Sequence, residues 1–190
     1  MEAFLVALST VAIAEIGDRT QILALMLAAH YRKPWPILAG VFCATLASHL
    51  LAGYIGVRAG RFLTPEILDY AVGISLVVMS LWMLKPDAPE KDDGSVRKAG
   101  AFGATLVAFF LGEIGDKTQI ATIALAAAYS NLGAVVAGTT SGIMLATIPV
   151  VFLGKKFSEH LPLKAIRYVA CALFVVIGAV FLVRAIRHTG

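Results

Sequence analysis

Two short polar segments lie inside apolar runs of this chain and carry the same chemistry. The first reads Glu15-Ile16-Gly17-Asp18-Arg19-Thr20-Gln21, and the second reads Glu113-Ile114-Gly115-Asp116-Lys117-Thr118-Gln119. They differ only by the exchange of Arg for Lys. In each copy the two carboxylates are three residues apart, so a helix would place them on one face. Charged groups in apolar surroundings are costly, and their presence at two equivalent places indicates a functional site.

The side chains of both copies offer oxygen ligands, and neither copy contains Cys or His. Hard oxygen ligands suit Mg²⁺, Ca²⁺ and Mn²⁺ and do not select Zn²⁺ or Cu⁺. The candidate metal ligands are Glu15, Asp18, Gln21, Glu113, Asp116 and Gln119, with Thr20, Thr118 and His49 as accessory candidates. For His49, a hydrogen-bonded packing role is favoured over a proton relay.

The charges of the two copies point to exchange of a cation for protons. Each copy holds two acids and one base, so together they carry −2 when fully ionised. One divalent cation or two protons would neutralise that charge, because burial raises the proton affinity of an empty carboxylate. We interpret Arg19 and Lys117 as charge-tuning residues. The alternative is inert buried salt bridges, with Glu15 paired to Arg19 and Asp18 to Arg19 or Lys117, but it leaves the residual −2 unexplained.

The composition places these segments in a membrane protein. The chain is 59% hydrophobic and 15% charged, against roughly 45–50% and about 25% in soluble domains. A membrane helix needs about 20 mostly apolar residues. Six runs qualify: 3–29, 35–57, 67–84, 100–129, 132–153 and 165–184. The sequence therefore predicts an all-α integral membrane protein with six transmembrane helices. Its basic residues lie in short loops, which argues against a nucleic-acid partner.

The two helices that carry the motifs are longer than a straight crossing requires. A helix of 27 residues reaches about 40 Å, whereas the hydrocarbon core is about 30 Å thick. Each motif helix must therefore tilt strongly or break. Gly17, Gly112 and Gly115 lie where a break would be useful, because glycine tolerates non-helical backbone. Broken helices at mid-membrane are a recurrent way to build ion sites.

The repeat extends beyond the motifs, because an offset of 98 residues also aligns Ala39-Gly40 with Ala137-Gly138 and Tyr70 with Tyr168. We predict a first repeat at 1–85, a linker at 86–99 and a second repeat at 100–190. Three crossings in each half make the repeats inverted, with the motifs antiparallel near the midplane. Ten basic residues in the loops of one side against four on the other predict a cytoplasmic linker and external termini.

Small polar residues on the second and fifth predicted helices are weaker candidates for a functional role. They are Thr45, Ser48, Thr139, Thr140 and Ser141. Such residues could line a path for the cation. Contact between helices is nevertheless the default role of small residues in membranes.

The motif Glu-x-Gly-Asp-[Lys/Arg]-[Thr/Ser], present twice with three predicted helices per half, resembles the membrane family of Mn²⁺/Ca²⁺ cation–proton exchangers. That family includes MneA-like bacterial manganese exporters and Golgi homologues. The resemblance covers essentially the whole chain, and both copies fit the pattern. It implies export of Mn²⁺ from the cytoplasm of a bacterium across its plasma membrane, driven by entering protons, with Ca²⁺ as a second candidate substrate. It also implies metal binding by Glu15, Asp18, Glu113 and Asp116, and no resident cofactor.

Three other function classes fit the sequence less well than a secondary transporter does. A passive cation channel could use the same carboxylates, although inverted halves around one site favour alternating access. Export of an organic cation is a weaker alternative, because the family is distantly similar to lysine exporters. An intramembrane enzyme is disfavoured, because the sequence shows no nucleophile–base set and no metalloprotease motif.

Overall fold

The computed structural model describes residues 1–83, 100–153 and 163–189, and these form helices joined by short turns. The helices are α1 (Glu2–Glu15), α2 (Arg19–Tyr31), α3 (Pro34–Phe62), α4 (Pro65–Met83), α5 (Gly100–Glu113), α6 (Lys117–Tyr129), α7 (Leu132–Leu153) and α8 (Leu163–Thr189). The predicted linker at 86–99 lies outside the described residues. The all-helical class is confirmed.

Most predicted helices appear at the expected places, and α3 is longer than expected. The sequence predicts its end at residue 57, before Arg58 and Arg61, but the helix continues to Phe62. Arginine is a good helix former, so a charged residue at the end of an apolar run does not stop a helix. The stop comes instead just before Thr64, because Pro65 disfavours helical backbone at the residue that precedes it.

Both motif helices are broken, which decides between tilt and break. Gly17 has φ +81° and Gly115 has φ +76°, values that L-residues with a side chain rarely adopt. At each break the Asp backbone N–H donates to the Glu carbonyl three residues earlier, at 3.1 Å in both copies. Gly112, the third glycine considered, lies inside α5 and does not form the break.

The two copies also end in the same way. Arg32 after α2 and Ser130 after α6 adopt left-handed backbone, and each donates its N–H to a helix carbonyl at 3.0 Å. This is a usual helix C-terminus, in which the bond satisfies a carbonyl that would otherwise lack a partner. The two residues are 98 positions apart, so the repeat holds at the level of backbone conformation over this segment.

The halves interleave and do not form two separate bodies. Helix α1 packs against α7, and its counterpart α5 packs against α3; likewise α2 contacts α7 and α6 contacts α3. Helices α4 and α8 pack against each other. Close approach is made possible by glycines: a Cβ on Gly56 would lie 2.3 Å from the Ile123 carbonyl oxygen, and one on Gly138 would lie 2.5 Å from that of Phe4. Each motif helix is thus held by the other half.

The distribution of side chains suits a lipid environment. Many large apolar side chains are exposed, among them Leu51, Ile55, Leu81, Leu145 and Val176, while the motif carboxylates are buried. Among the described residues, three segments are long and apolar enough to cross a membrane, namely 34–62, 132–153 and 168–188, and α5 is a shorter apolar helix. These features fit a membrane protein, and the count of six crossings stays a prediction.

Candidate functional site

The helix breaks place the motif carboxylates at helix ends. Glu15 is the last residue of α1, and Asp18 precedes the first residue of α2. Glu113 and Asp116 hold the same positions between α5 and α6. All four are at most 4% exposed. The aspartates adjoin helix N-termini, whose backbone N–H groups and dipole favour negative charge.

The two motif glutamines stabilise the helix breaks through hydrogen bonds to the backbone. The N–H of Gly17 donates to Gln21 Oε1, and that of Gly115 donates to Gln119 Oε1, at 2.8 Å in both copies. Gln21 Nε2 also donates to the Ala146 carbonyl of α7 at 3.1 Å. The amide oxygens that the sequence nominates as metal ligands therefore accept hydrogen bonds from the backbone in this conformation. They hold the non-helical turn that presents the carboxylates.

The cation of each motif pairs with the aspartate of the other motif. Lys117 Nζ donates to Asp18 Oδ1, and Arg19 Nη2 lies 3.3 Å from Asp116 Oδ1. The first pair is the more buried, with side chains 8% and 0% exposed, whereas the Arg19 side chain is 29% exposed. Arg19 Nη2 also donates to the Gly112 carbonyl, near the C-terminal end of α5, at 2.8 Å. The two motifs therefore face each other directly.

The two glutamates are not part of these ion pairs, and their surroundings differ. Both oxygens of Glu113 accept hydroxyl hydrogen bonds from α3, one from Thr45 Oγ1 at 2.6 Å and one from Ser48 Oγ. Glu15 accepts from Thr20 Oγ1 through Oε1. Its Oε2 is buried without a hydrogen-bond partner among the described residues. Glu15 also lies close enough to Asp18, Asp116 and Lys117 to interact electrostatically with them.

The accessory candidates divide into two groups. Thr20 and Thr118 lie in the site: Thr20 Oγ1 is 3.3 Å from Asp18 Oδ2, and Thr118 Oγ1 is 3.2 Å from Asp116 Oδ2. His49 instead joins α3 to α7, because its Nδ1 lies 2.8 Å from Thr139 Oγ1. That contact is the hydrogen-bonded packing role favoured from sequence.

The predicted ligands are brought near one another, but not as a finished metal centre. Within residues 1–83, 100–153 and 163–189, no three His, Cys, Asp or Glu side chains are grouped closely enough to hold a metal ion. The aspartates are instead occupied by Lys117 and Arg19. The structure thus describes a conformation in which the protein's own cations neutralise part of the site.

Sequence reasoning did not place Thr45 and Ser48 in the site, although it named both. Their spacing of three residues puts the two hydroxyls on one face of α3, and that spacing was the available signal. The missing information was that α3 packs against α5, the helix of the other half. Only this interleaving brings the hydroxyls to Glu113.

Comparison with known proteins agrees with this architecture. A family model described as the divalent cation/proton antiporter GDT1 matches residues 3–91 and again residues 101–189. The two matches begin 98 residues apart, which is the offset between the motif copies. A family model that fits the chain twice is expected of a duplicated protein.

Similar proteins span most of the chain. A Vibrio cholerae protein named "Putative manganese exporter" is 46% identical over 179 residues, which cover 94% of this chain and 89% of the relative. A Synechocystis protein named "GDT1-like protein sll0615" is 29% identical, and the match covers 95% of this chain and 96% of the relative. An Arabidopsis thaliana protein named "Protein PAM71, chloroplastic" is 31% identical, and the match covers 87% of this chain and 52% of the relative.

No solved structure matches the chain. The family model covers nearly all of the sequence, and the bacterial relative is similar over almost its whole length. The family is one of transporters and not of enzymes. The chain belongs to the GDT1 family of divalent cation/proton antiporters.

Proposed function

We propose that this protein exports Mn²⁺ from the cytoplasm in exchange for protons, and that Ca²⁺ can use the same site. The observation that carries the proposal is the reciprocal pairing of Asp18 with Lys117 and of Asp116 with Arg19. Two neutral pairs leave Glu15 and Glu113 as the uncompensated acids. Their combined charge of −2 is neutralised either by two protons or by one divalent cation.

The exchange follows from the free-energy cost of burying two ionised glutamates with neither a metal ion nor protons bound. Burial of an unpaired carboxylate is unfavourable, so the two glutamates take up protons when the metal leaves. Mn²⁺ that enters displaces these protons, and the charge balance is the same before and after. Lys117 and Arg19 withdraw from the aspartates as the metal arrives, so that carboxylates of both motifs become its ligands. Hard oxygen donors fit Mn²⁺ and Ca²⁺.

The name of one relative supports this choice of substrate. The chain is 46% identical to a bacterial protein whose name assigns manganese export. We place this protein in the bacterial plasma membrane with six crossings as two inverted repeats. The repeats are 1–85 and 100–190, both termini are outside, and the segment 86–99 is cytoplasmic. The pairs α1–α2 and α5–α6 would each cross as one broken helix, because a single half of about 14 residues reaches only about 20 Å.

Transport by purified protein in liposomes tests the proposal. Mn²⁺ movement is followed with an internal fluorescent indicator while a pH gradient is imposed. Mn²⁺ is expected to accumulate on the acidic side of the membrane, and a protonophore is expected to abolish the accumulation. Mn²⁺ flux that only dissipates its own gradient would instead indicate a channel. Competition by an organic cation such as lysine would indicate the other alternative.

Substitutions test the location of the site. Glu15→Gln and Glu113→Gln are each expected to abolish exchange, because each removes half of one shared charge centre. Glu66→Gln, in the first turn of α4 and partly exposed, is the matched control and should transport normally. Half of the wild-type rate in either single variant would mean two independent sites and would refute the shared one.

A further inference from the structure

The two halves of the site are unequal, although the motifs are nearly identical. Glu113 has a hydroxyl partner on each carboxylate oxygen, and both partners come from α3. The offset of 98 residues puts Ile143 and Ala146 at the corresponding positions of α7. Neither has a side-chain hydroxyl, so α7 cannot offer Glu15 the same fork. In agreement, Glu15 Oε2 has no hydrogen-bond partner among the described residues.

The fork fixes the Glu113 carboxylate in two ways. Two hydroxyl donors, one on each oxygen, restrict rotation about the terminal side-chain bond. They also bind the ionised carboxylate firmly, because a hydrogen bond to an anion is stronger than one to a neutral group. Thr45, Ser48 and Glu113 are all at most 1% exposed, so water cannot replace either donor at the surface.

The hydroxyls also have chemistry to offer a cation. Each hydroxyl oxygen that donates its proton to Glu113 retains lone pairs, and neutral oxygen donors are accepted ligands of hard cations. The Thr45 carbonyl oxygen, 3.2 Å from Ser48 Oγ, is a second acceptor within reach of the Ser48 hydroxyl, and the Glu113 oxygen is the nearer of the two. The two hydroxyl oxygens lie on a continuous helix, whereas the motif carboxylates lie at helix breaks.

We propose that Thr45 and Ser48 of α3 are positioning residues that hold Glu113 in place for the divalent cation, and that α3 thereby makes the second-repeat half of the site its tighter half. This inference rests on the proposed function, because it assumes that Glu113 binds the transported cation. It assigns a role in cation affinity to a helix outside both motifs. The role belongs to one repeat and has no equivalent in the other.

Isosteric removal of the hydroxyls tests the inference. Thr45→Val and Ser48→Ala each delete one donor to Glu113 and leave the helix packing nearly unchanged. Each is expected to weaken Mn²⁺ binding about tenfold, since a hydrogen bond to a charged group has about that effect. The apparent KM for Mn²⁺ should rise by the same factor, and the maximal rate should change less than about twofold. Thr45→Ser and Ser48→Thr keep the hydroxyls and should restore affinity.

Two controls separate this effect from loss of packing. Thr105→Val and Ser80→Ala remove buried hydroxyls that donate only to carbonyls of their own helices, Ala101 and Val77. They should leave Mn²⁺ affinity unchanged. Binding is measured by calorimetry on detergent-purified protein, and thermal unfolding confirms that every variant is folded.

The outcomes distinguish failure of this inference from failure of the proposed function. If wild-type protein neither binds Mn²⁺ nor exchanges it for protons, the proposed function is wrong. If wild type does both and Thr45→Val and Ser48→Ala behave like the controls, the function stands and the role of α3 is refuted. A lower maximal rate with unchanged affinity would also refute it, because that result indicates a role in the conformational step.

Discussion

Removal of the Lys117 ammonium is the most informative perturbation of the paired charges. Lys117→Gln removes the ammonium that pairs with Asp18, whose side chain is 0% exposed. Removal of one member of a buried ion pair costs about 3–5 kcal/mol. For a chain of this size that loss lowers the midpoint of thermal unfolding by roughly 10 °C. Arg61→Gln, which removes an exposed cation of α3, is the control and should change stability by less than about 0.5 kcal/mol.

The same variant reports on competition between the ammonium and the metal. In wild type, Mn²⁺ must displace the Lys117 ammonium to reach Asp18, whereas in Lys117→Gln that competing cation is absent. A ligand at 100 times its Kd stabilises the folded state by about 2.7 kcal/mol. We therefore expect Mn²⁺ to raise the unfolding midpoint of Lys117→Gln by more degrees than that of wild type, and to recover much of the lost stability.

A double-mutant cycle completes the test. Asp18→Asn alone leaves a buried ammonium without its carboxylate, so it should also destabilise, and Asp18→Asn with Lys117→Gln should be milder than the sum of the two single changes. The assay is thermal unfolding of detergent-purified protein with a chelator and with Mn²⁺. Additive losses, or equal Mn²⁺ shifts in wild type and Lys117→Gln, would contradict the reasoning.

Three further substitutions test the backbone that carries the site, each by thermal unfolding. Gly115→Ala should cost about 1–2 kcal/mol, because its φ of +76° is strained for alanine although the added Cβ would meet no atom within 4 Å; Gly133→Ala, where the nearest atom is 4.0 Å away, should not destabilise. Gly56→Ala should cost about 1–3 kcal/mol, because its Cβ would lie 2.3 Å from the Ile123 carbonyl and force α3 from α6. Gln119→Leu should cost about 0.5–1.5 kcal/mol through loss of the Gly115 hydrogen bond, and Gln119→Glu, which keeps an acceptor, should cost less.

The helix breaks could be predicted from sequence because they follow from length. A segment too long for the hydrocarbon core must tilt or break, and a glycine beside two acids favours the break. Gly17 and Gly115 confirm that reasoning. Gly112, which also lies near the predicted break, is part of the regular helix α5. Composition alone cannot distinguish a glycine needed for positive φ from one that fits a helix.

The partners of the charges could not be predicted, because they depend on how the halves interleave. From sequence, Asp18 could pair with Arg19 or with Lys117. Asp18 precedes α2 and Arg19 is the first residue of that helix, and in the structure the Arg19 guanidinium reaches Asp116 of the other motif. Lys117 then fills the place beside Asp18. Which of the two cations pairs with Asp18 depends on the packing of α2 against α5 and of α1 against α6, which the sequence alone does not give.

The single difference between the two motif copies coincides with a difference between the two ion pairs. Arg19 makes two contacts, with the Gly112 carbonyl at 2.8 Å and with Asp116 at 3.3 Å, and its side chain is 29% exposed. A guanidinium carries several N–H donors in fixed directions and is weakly hydrated, so it can serve a carbonyl and a carboxylate together. Lys117 lies in the more enclosed place, and its compact ammonium on a flexible stem pairs there with Asp18. A repeat that is symmetric in charge is therefore asymmetric in geometry. The two ion pairs differ in burial, and the two glutamates differ in their hydroxyl partners.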